Sequence, residues 1–597
     1  MHVLLEQFNE ASLDDAKHCL EGIYAPKNMS ASAAWIIDQA IEQRPFQTLA
    51  ALSQAMVQVV RRASQAQQIA LIAAQPDVVQ ACQTLFADQS SAQGLQNSQD
   101  LQTLKTLKTL KTLHTLSEDY RSQFGFQFVF DLAGPRGVGL SLADVTAALE
   151  RRLRNPVDFE VREALREIHR TAQGRVNALF NTQPVLGNQV WDWCEALAAH
   201  SEPSYAERGE LTVTYLTEAH QACAAHIAQL MREQCGFDEV DIDAVGNVVG
   251  VYHGQDKNAK RLLTGSHYDT VRNGGKYDGR LGIFAPMLCV RELAHQSRRL
   301  PFGIEVVAFA EEEGQRYKAV FLGSGALTGE FDTGWLDQVD SDGISMRQAM
   351  QDAGRNIDDI ATLKRDANQY LGFVEVHIEQ GPVLTELDLP LGVVTSINGS
   401  ARFMGEIRGL ASHAGTTPMG MRRDAALAAA ELALYVEKRA TAVPDLVATM
   451  GMLEVPNGSV NVIPGRCRFS LDVRATTNEV RGACVADIRG ELQQICQRRG
   501  VQYEFEEFMR ASAAPSSPAW QSRWETSVKS LGLPVHHMPS GAGHDAMKLH
   551  NIMPQAMLFV RGLNGGISHN PLEMTTNDDA QLCVEAFAQL LDQLAKE

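Results

Sequence analysis

Histidines and carboxylates recur at the ends of apolar segments in the second half of this 597-residue chain, and their types suit a divalent-metal centre. In residues 262–282 a short apolar strand delivers His267 to its end. Asp269 follows two residues on, and a glycine-rich turn brings Asp278 back to the mouth of the next helix. Imidazole binds borderline cations, a carboxylate can bridge two of them, and Asp269 can hold the other ring nitrogen of His267. The apolar run 304–310 ends in Glu311-Glu312-Glu313-Gly314, where one glutamate can ligate metal while its neighbour takes a proton from water. The run 371–376 delivers His377 and then Gln380, and 552–560 precedes His569. Two histidine-plus-carboxylate sets bridged by Asp278 would make a dinuclear hydrolase site.

These residues must be positioned by an α/β layer. From 240 onward strands and helices alternate: a hairpin at 240–253 around Gly246-Asn247, a strand at 261–266, a helix after Asp278 and a strand at 303–310. Such sheets bind ligands at the carboxyl ends of their strands. A helix is expected at 211–236, and residues 398–510 change to strands and two helices. Residues 1–178 read as an all-α unit with helices at 33–42, 47–66 and 142–179, followed by a linker at 179–190. The Leu-Lys-Thr repeat at 101–116 has a period of three, which drifts around a 3.6-residue helix, so an expanded loop or frayed helix is expected.

The formal net charge of −19 and sequence pI near 5.4 argue against nucleic acid and anionic membranes as partners. There is no 18-residue apolar run, and the N-terminus lacks a basic flank with a long apolar stretch; a cytoplasmic location is expected. Ten scattered cysteines without a Cys-x-x-Cys pair fit reduced thiols.

The runs Ser32-Ala-Ala-Trp-Ile-Ile, Arg44-Pro-Phe, Ile72-Ala-Ala-Gln-Pro-Asp and Tyr120-Arg-Ser-Gln-Phe-Gly-Phe-Gln-Phe-Val resemble the decarboxylase of 2-oxo-4-hydroxy-4-carboxy-5-ureidoimidazoline (OHCU decarboxylase), an all-α enzyme of urate degradation. Where that family carries its catalytic histidine this chain has Gln75, and an amide cannot act as acid or base near neutral pH. The family's downstream Glu-Gln pair is not cleanly matched by Asp88-Gln89-Ser90-Ser91, and His114 is a candidate rescuing group.

Residues 191–597 resemble the allantoate amidohydrolase, N-carbamoyl-amino-acid amidohydrolase and β-ureidopropionase group of the aminoacylase-like metallopeptidases. The resemblance implies two divalent ions, Mn²⁺ or Zn²⁺, on His267, Asp278 (bridging), Glu312, His377 and His569, with Glu311 as general base and Asp269 behind His267. It implies a catalytic α/β domain at 191–397 and 511–597. It also implies that 398–510 is an inserted lid forming a homodimer, with His413, Asn461 and Arg474 on the substrate beside Gln380, and His544 in a loop at the pocket. Pairing with a urate-pathway module points to allantoate, cleaved to ureidoglycine, ammonia and carbon dioxide, in a bifunctional enzyme. The alternative is an N-carbamoyl-L-amino-acid or β-ureidopropionate hydrolase with a non-catalytic N-terminal scaffold.

Overall fold

The structure, a computed structural model, describes residues 3–82 and 99–597. Asp88-Gln89-Ser90-Ser91 lies outside the described residues. At the centre is a nine-stranded mixed sheet. Four neighbouring strands run parallel, in the spatial order Gly303–Phe309, Arg261–His267, Tyr370–Ile378 and Gln555–Val560. Each is buried on both faces along almost its whole length, as a sheet sandwiched between helices requires. Antiparallel strands flank them, including the expected hairpin Glu239–Ile242 with Val248–Tyr252. Helices Arg280–His295, Val185–Leu197 and Asn577–Leu594 pack with them into one continuous core. Since all four parallel strands point the same way, the segments after Phe309, His267, Ile378 and Val560 emerge on one edge.

Residues 399–511 form a five-stranded antiparallel sheet. Its strand Arg466–Ala475 alternates buried and more open residues, and helices Ala425–Thr441 and Asn478–Arg499 cover the buried face.

The N-terminal part is helical throughout its described elements and has its own core. The expected helix at 142–179 is two helices, Leu142–Arg152 and Val157–Leu179, because Pro156 disfavours helical geometry in Asn155 before it. The expected linker at 179–190 is largely absent: helix Val185–Leu197 begins within it and Val190 is buried. The helix expected at 211–236 spans Glu218–Glu233, capped by the Thr217 hydroxyl, while the preceding residues are irregular. The Leu-Lys-Thr repeat is not a loop; it lies in helix Gln99–Phe124. Leu113 is fully buried there, with Leu110 and Leu116 packed beside the same core. Leu113→Ala should therefore destabilise the protein by about 2–5 kcal/mol, read from the denaturation midpoint, whereas a solvated repeat would leave it unchanged.

Candidate metal centre

The sheet edge assembles the site. His267 and His377 end their strands and are buried. His377 Nδ1 donates to Ile378 O at 2.9 Å, and its Nε2 faces Asp278 while accepting from the Gly279 amide at 3.1 Å, a bond a cation would have to replace. His267 Nδ1 donates to the Asp269 backbone O at 3.2 Å and lies 3.3 Å from Asp269 Oδ1, which orients the ring in the same sense. Asp278 reaches the edge through a tight turn: Gly279 has φ +68°, and a Cβ there would lie 2.3 Å from His267 O, so only glycine fits.

Each oxygen of Asp278 faces its own histidine set. Oδ1 lies 3.5 Å from His267 Nε2 and 3.2 Å from His377 Nε2, is buried, and has no hydrogen-bond donor. Oδ2 lies 3.3 Å from His569 Nε2 and accepts from Gln380 Nε2 at 2.9 Å and Ser568 Oγ at 3.0 Å. Glu313 Oε1 lies 3.2 Å from His569 Nε2. Donor atoms of His267, Asp278 and His377 lie within 4.8 Å of one another, as do those of Asp278, Glu313 and His569, and those of His267, Glu312 and Glu313. A buried carboxylate oxygen without a hydrogen-bond donor, facing the Nε2 atoms of two imidazoles, is a donor set that a divalent cation can satisfy, so the residues fit the group.

The glutamates differ from the sequence-based assignment by one position. Glu313, not assigned a role from sequence, approaches Asp278 and His569, and Glu312 lies between His267 and Glu313. Both remain partly open to the cleft. Glu311, expected as the base, is closed off: it is buried and neither oxygen has a hydrogen-bond partner. Burial and then the Asp269 charge push its pKa well above the carboxylate range. Asp269 itself accepts from the Glu312 and Glu313 amides, both at 3.1 Å, and so ties this segment to His267.

The other expected residues divide into two groups. Gln380 is in the centre, at φ +57°. His544 is buried with its ring centroid 4.5 Å from that of His377, and its Nε2 is 2.8 Å from Ser540 Oγ. Arg474 stands off the metal residues; its Nη1 donates to Gly541 O at 2.7 Å, lining a cavity of about 540 Å³ with Arg402 and Phe508. His413 and Asn461 are not brought to the centre. They sit together and exposed where strand Ser412–His413 pairs with Val462–Ile463.

Sequence reasoning missed Glu573 and Glu375. Glu573 accepts from the amides of Tyr277 and Asp278 and from Ser568, holding the turn and the His569 loop together. Glu375 accepts from Ser266 Oγ at 2.7 Å and from Ala546 N at 3.0 Å. Its place two residues before His377 in a strand was the available signal.

The Asp278 and Glu313 carboxylates push the pKa of His569 up to about 11 despite its partial burial. The Asp269 and Asp278 carboxylates outweigh burial at His267, raising it, and Asp278 does the same at His377. A cation must displace such protons, so affinity should rise with pH by about tenfold per unit for each proton displaced. Zn²⁺ competition titrations at pH 6 and pH 8 check this; equal affinities would contradict it.

In the helical unit, Gln75 is buried and its amide is engaged, donating to Tyr24 O at 2.9 Å and Leu71 O at 3.1 Å. His114 is exposed on an outer helix face beside Glu118, and does not replace a catalytic histidine. A histidine not singled out from sequence, His169, meets the Tyr24 hydroxyl at 2.9 Å, and burial pushes its pKa down to about 4.

Imidazoles gathered around one buried carboxylate, with glutamates beside them at the mouth of an α/β sheet, are the donor set of a metal-dependent hydrolase. Residues 263–593, more than half the chain, match the model of peptidase family M20/M25/M40, and the chain belongs to that family. Residues 9–177 match the OHCU decarboxylase family. The chain is 36% identical to the N-carbamoyl-L-amino acid amidohydrolase of Geobacillus stearothermophilus over 69% of its own length and 99% of the relative's. It is 36% identical to the allantoate deiminase of Arabidopsis thaliana over 59% and 73% of the respective lengths. A solved structure of an amidase of the hydantoinase/carbamoylase family from Burkholderia multivorans superposes with a TM-score of 0.64 at 29% identity, covering 69% of this chain and 98% of that one.

Proposed function

We propose that the chain is an allantoate amidohydrolase that binds two divalent ions, Mn²⁺ or Zn²⁺, and releases ammonia and carbon dioxide to leave ureidoglycine. The observation that carries the hydrolase reading is Asp278 facing a separate histidine set with each oxygen. Allantoate is favoured over other ureides because an OHCU decarboxylase segment, a urate-pathway module, shares the chain, and because relatives of the hydrolase part include allantoate deiminases. The second reading, hydrolysis of N-carbamoyl-L-amino acids or β-ureidopropionate, is favoured by the Geobacillus relative.

Bound divalent cations would supply a Lewis acid that polarises the scissile carbonyl oxygen and would acidify the attacking water. His267, Asp278 and His377 would hold one of them, and Asp278, Glu313 and His569 the other. Glu312 then takes the proton of water and returns it to the departing nitrogen; burial first, and the neighbouring Glu313 second, raise its affinity for that proton. Gln380 orients Asp278. Arg474, at the cavity beside the His544 loop, pairs through Nη2 with Asp472 at 2.9 Å and binds the substrate carboxylate with the Nη1 edge that now donates to Gly541 O.

The inserted unit at 398–510 serves as lid and homodimer interface. Leu410, Met419, Met421 and Val460 are exposed around His413 and Asn461, and covering them with a second copy would remove this apolar surface from water. Nine of ten thiols are buried and all are free, which suits a reducing, cytoplasmic compartment; no helix among the described residues is long and apolar enough to cross a membrane. The helical unit keeps the decarboxylase fold with its acid–base position filled by a braced amide.

Purified protein stripped of metal and reloaded with Mn²⁺ or Zn²⁺ should release ammonia from allantoate and leave N-carbamoyl amino acids intact; cleavage of only the latter would select the second reading. Arg474→Ala should raise KM for allantoate by about 10–100-fold, the loss of a charge-assisted pair of about 1.5–3 kcal/mol.

A further inference from the structure

His569 is the ligand candidate with the least support from the hydrolase itself. His267 and His377 are fixed at strand ends and buried, whereas the His569 side chain is 49% exposed and its residue has φ +54° in a loop. Asn564 closes that loop by donating from Nδ2 to Leu572 O at 2.6 Å. The other side-chain atom of Asn564, Oδ1, accepts from Arg151 Nη2 at 3.1 Å, and Arg151 belongs to the N-terminal helix Leu142–Arg152. The next residue, Gly565, lies under the ring of Phe159 from helix Val157–Leu179; a Cβ there would lie 3.4 Å from Phe159 Cζ. Gly566 is pressed against Gly381, beside Gln380, where a Cβ would overlap the carbonyl oxygen at 1.6 Å.

The helical unit also holds both flanks of this assembly. Beyond His569, the Asn577 amides donate to Pro135 O and Arg136 O, each at 2.9 Å. Beyond Gln380, Arg166 donates to Thr385 O and to Glu386 Oε1, each at 3.1 Å. The two segments that meet at Asp278 Oδ2 are therefore fastened from outside by the same unit.

We infer that the N-terminal helical unit is a positioning element of the metal centre, with Arg151 and Phe159 fixing the turn that aims Ser568 and His569 at Asp278. This rests on the metal-centre reading above, but is independent of which ureide is cleaved and of any decarboxylation. It gives the decarboxylase-like module a function that Gln75 does not compromise.

The test uses the full chain, stripped of metal and titrated with Co²⁺, whose visible absorption reports ligand geometry. In Arg151→Ala, one of two Co²⁺ sites should weaken by about tenfold with an altered spectrum, the lower end of the effect of removing a residue that orients a ligand. The other site and the thermal midpoint of the metal-free protein should be unchanged, and Arg151→Lys should recover part of the loss. At limiting Co²⁺, kcat should fall while KM for the ureide stays constant, and excess Co²⁺ should restore it. Phe159→Leu, a milder change, should show the same selective weakening and decides the matter if Arg151→Ala does not fold. Wild-type affinity and spectrum in both variants, or equal weakening of both sites with a lowered midpoint, would overturn the inference. Failure of the unaltered protein to bind two Co²⁺ ions would instead remove the metal reading beneath it, and the inference with it.

Discussion

Glu312→Gln should lower turnover by about 10²–10⁴-fold with the bound metal retained, whereas Glu311→Gln should keep most of the activity. The two side chains are adjacent in sequence but differently placed. Glu312 is partly open to the cleft and lies within reach of His267 and Glu313, so its carboxylate can meet water at the centre. Glu311 is sealed beside Asp269, and a buried carboxyl without access to substrate cannot serve as the base. An amide at 312 preserves size and removes the proton acceptor. Parallel steady-state kinetics and metal analysis of both variants check this. Loss confined to Glu311→Gln would restore the assignment read from sequence.

The second large effect is expected at Asp278. Asp278→Ala should weaken both metal sites together, each by more than about 100-fold, because both of its oxygens face ligand nitrogens. Its pKa lies well below the carboxylate range: burial opposes ionisation, but His267, His377 and His569 outweigh it. Removing it leaves those three imidazoles without a common counter-charge. Glu313→Ala should weaken only the ion shared with His569. Isothermal titration of the metal-free variants distinguishes a joint loss from a single one, and independent sites in Asp278→Ala would show that it does not bridge.

The strand ends were readable from sequence because apolar runs stop sharply at His267 and His377, and a buried parallel sheet leaves little else for such runs to be. The register of the three glutamates was not. The strand ends at Phe309, so beyond it no alternation marks which side chain turns into the cleft, and three identical residues carry no local difference. Similarly, nothing near Glu573 marks it as the group that would hold the Asp278 amide, since that contact spans most of the hydrolase part. The Leu-Lys-Thr repeat was misread for a quantitative reason. A three-residue step drifts only about 60° per repeat around a helix, so Leu110, Leu113 and Leu116 stay within one core-facing stripe before the register is lost. The engaged amide of Gln75 also belongs to tertiary structure: the missing histidine was visible in the sequence, its replacement by a backbone brace was not.

Anomalous X-ray diffraction from manganese-loaded crystals would locate the ions and their ligands. Two peaks are expected on either side of Asp278, one ligated by His267 and His377 and the other by Glu313 and His569. A single peak, or ligation by Glu311 or Glu312 in place of Glu313, would contradict this arrangement.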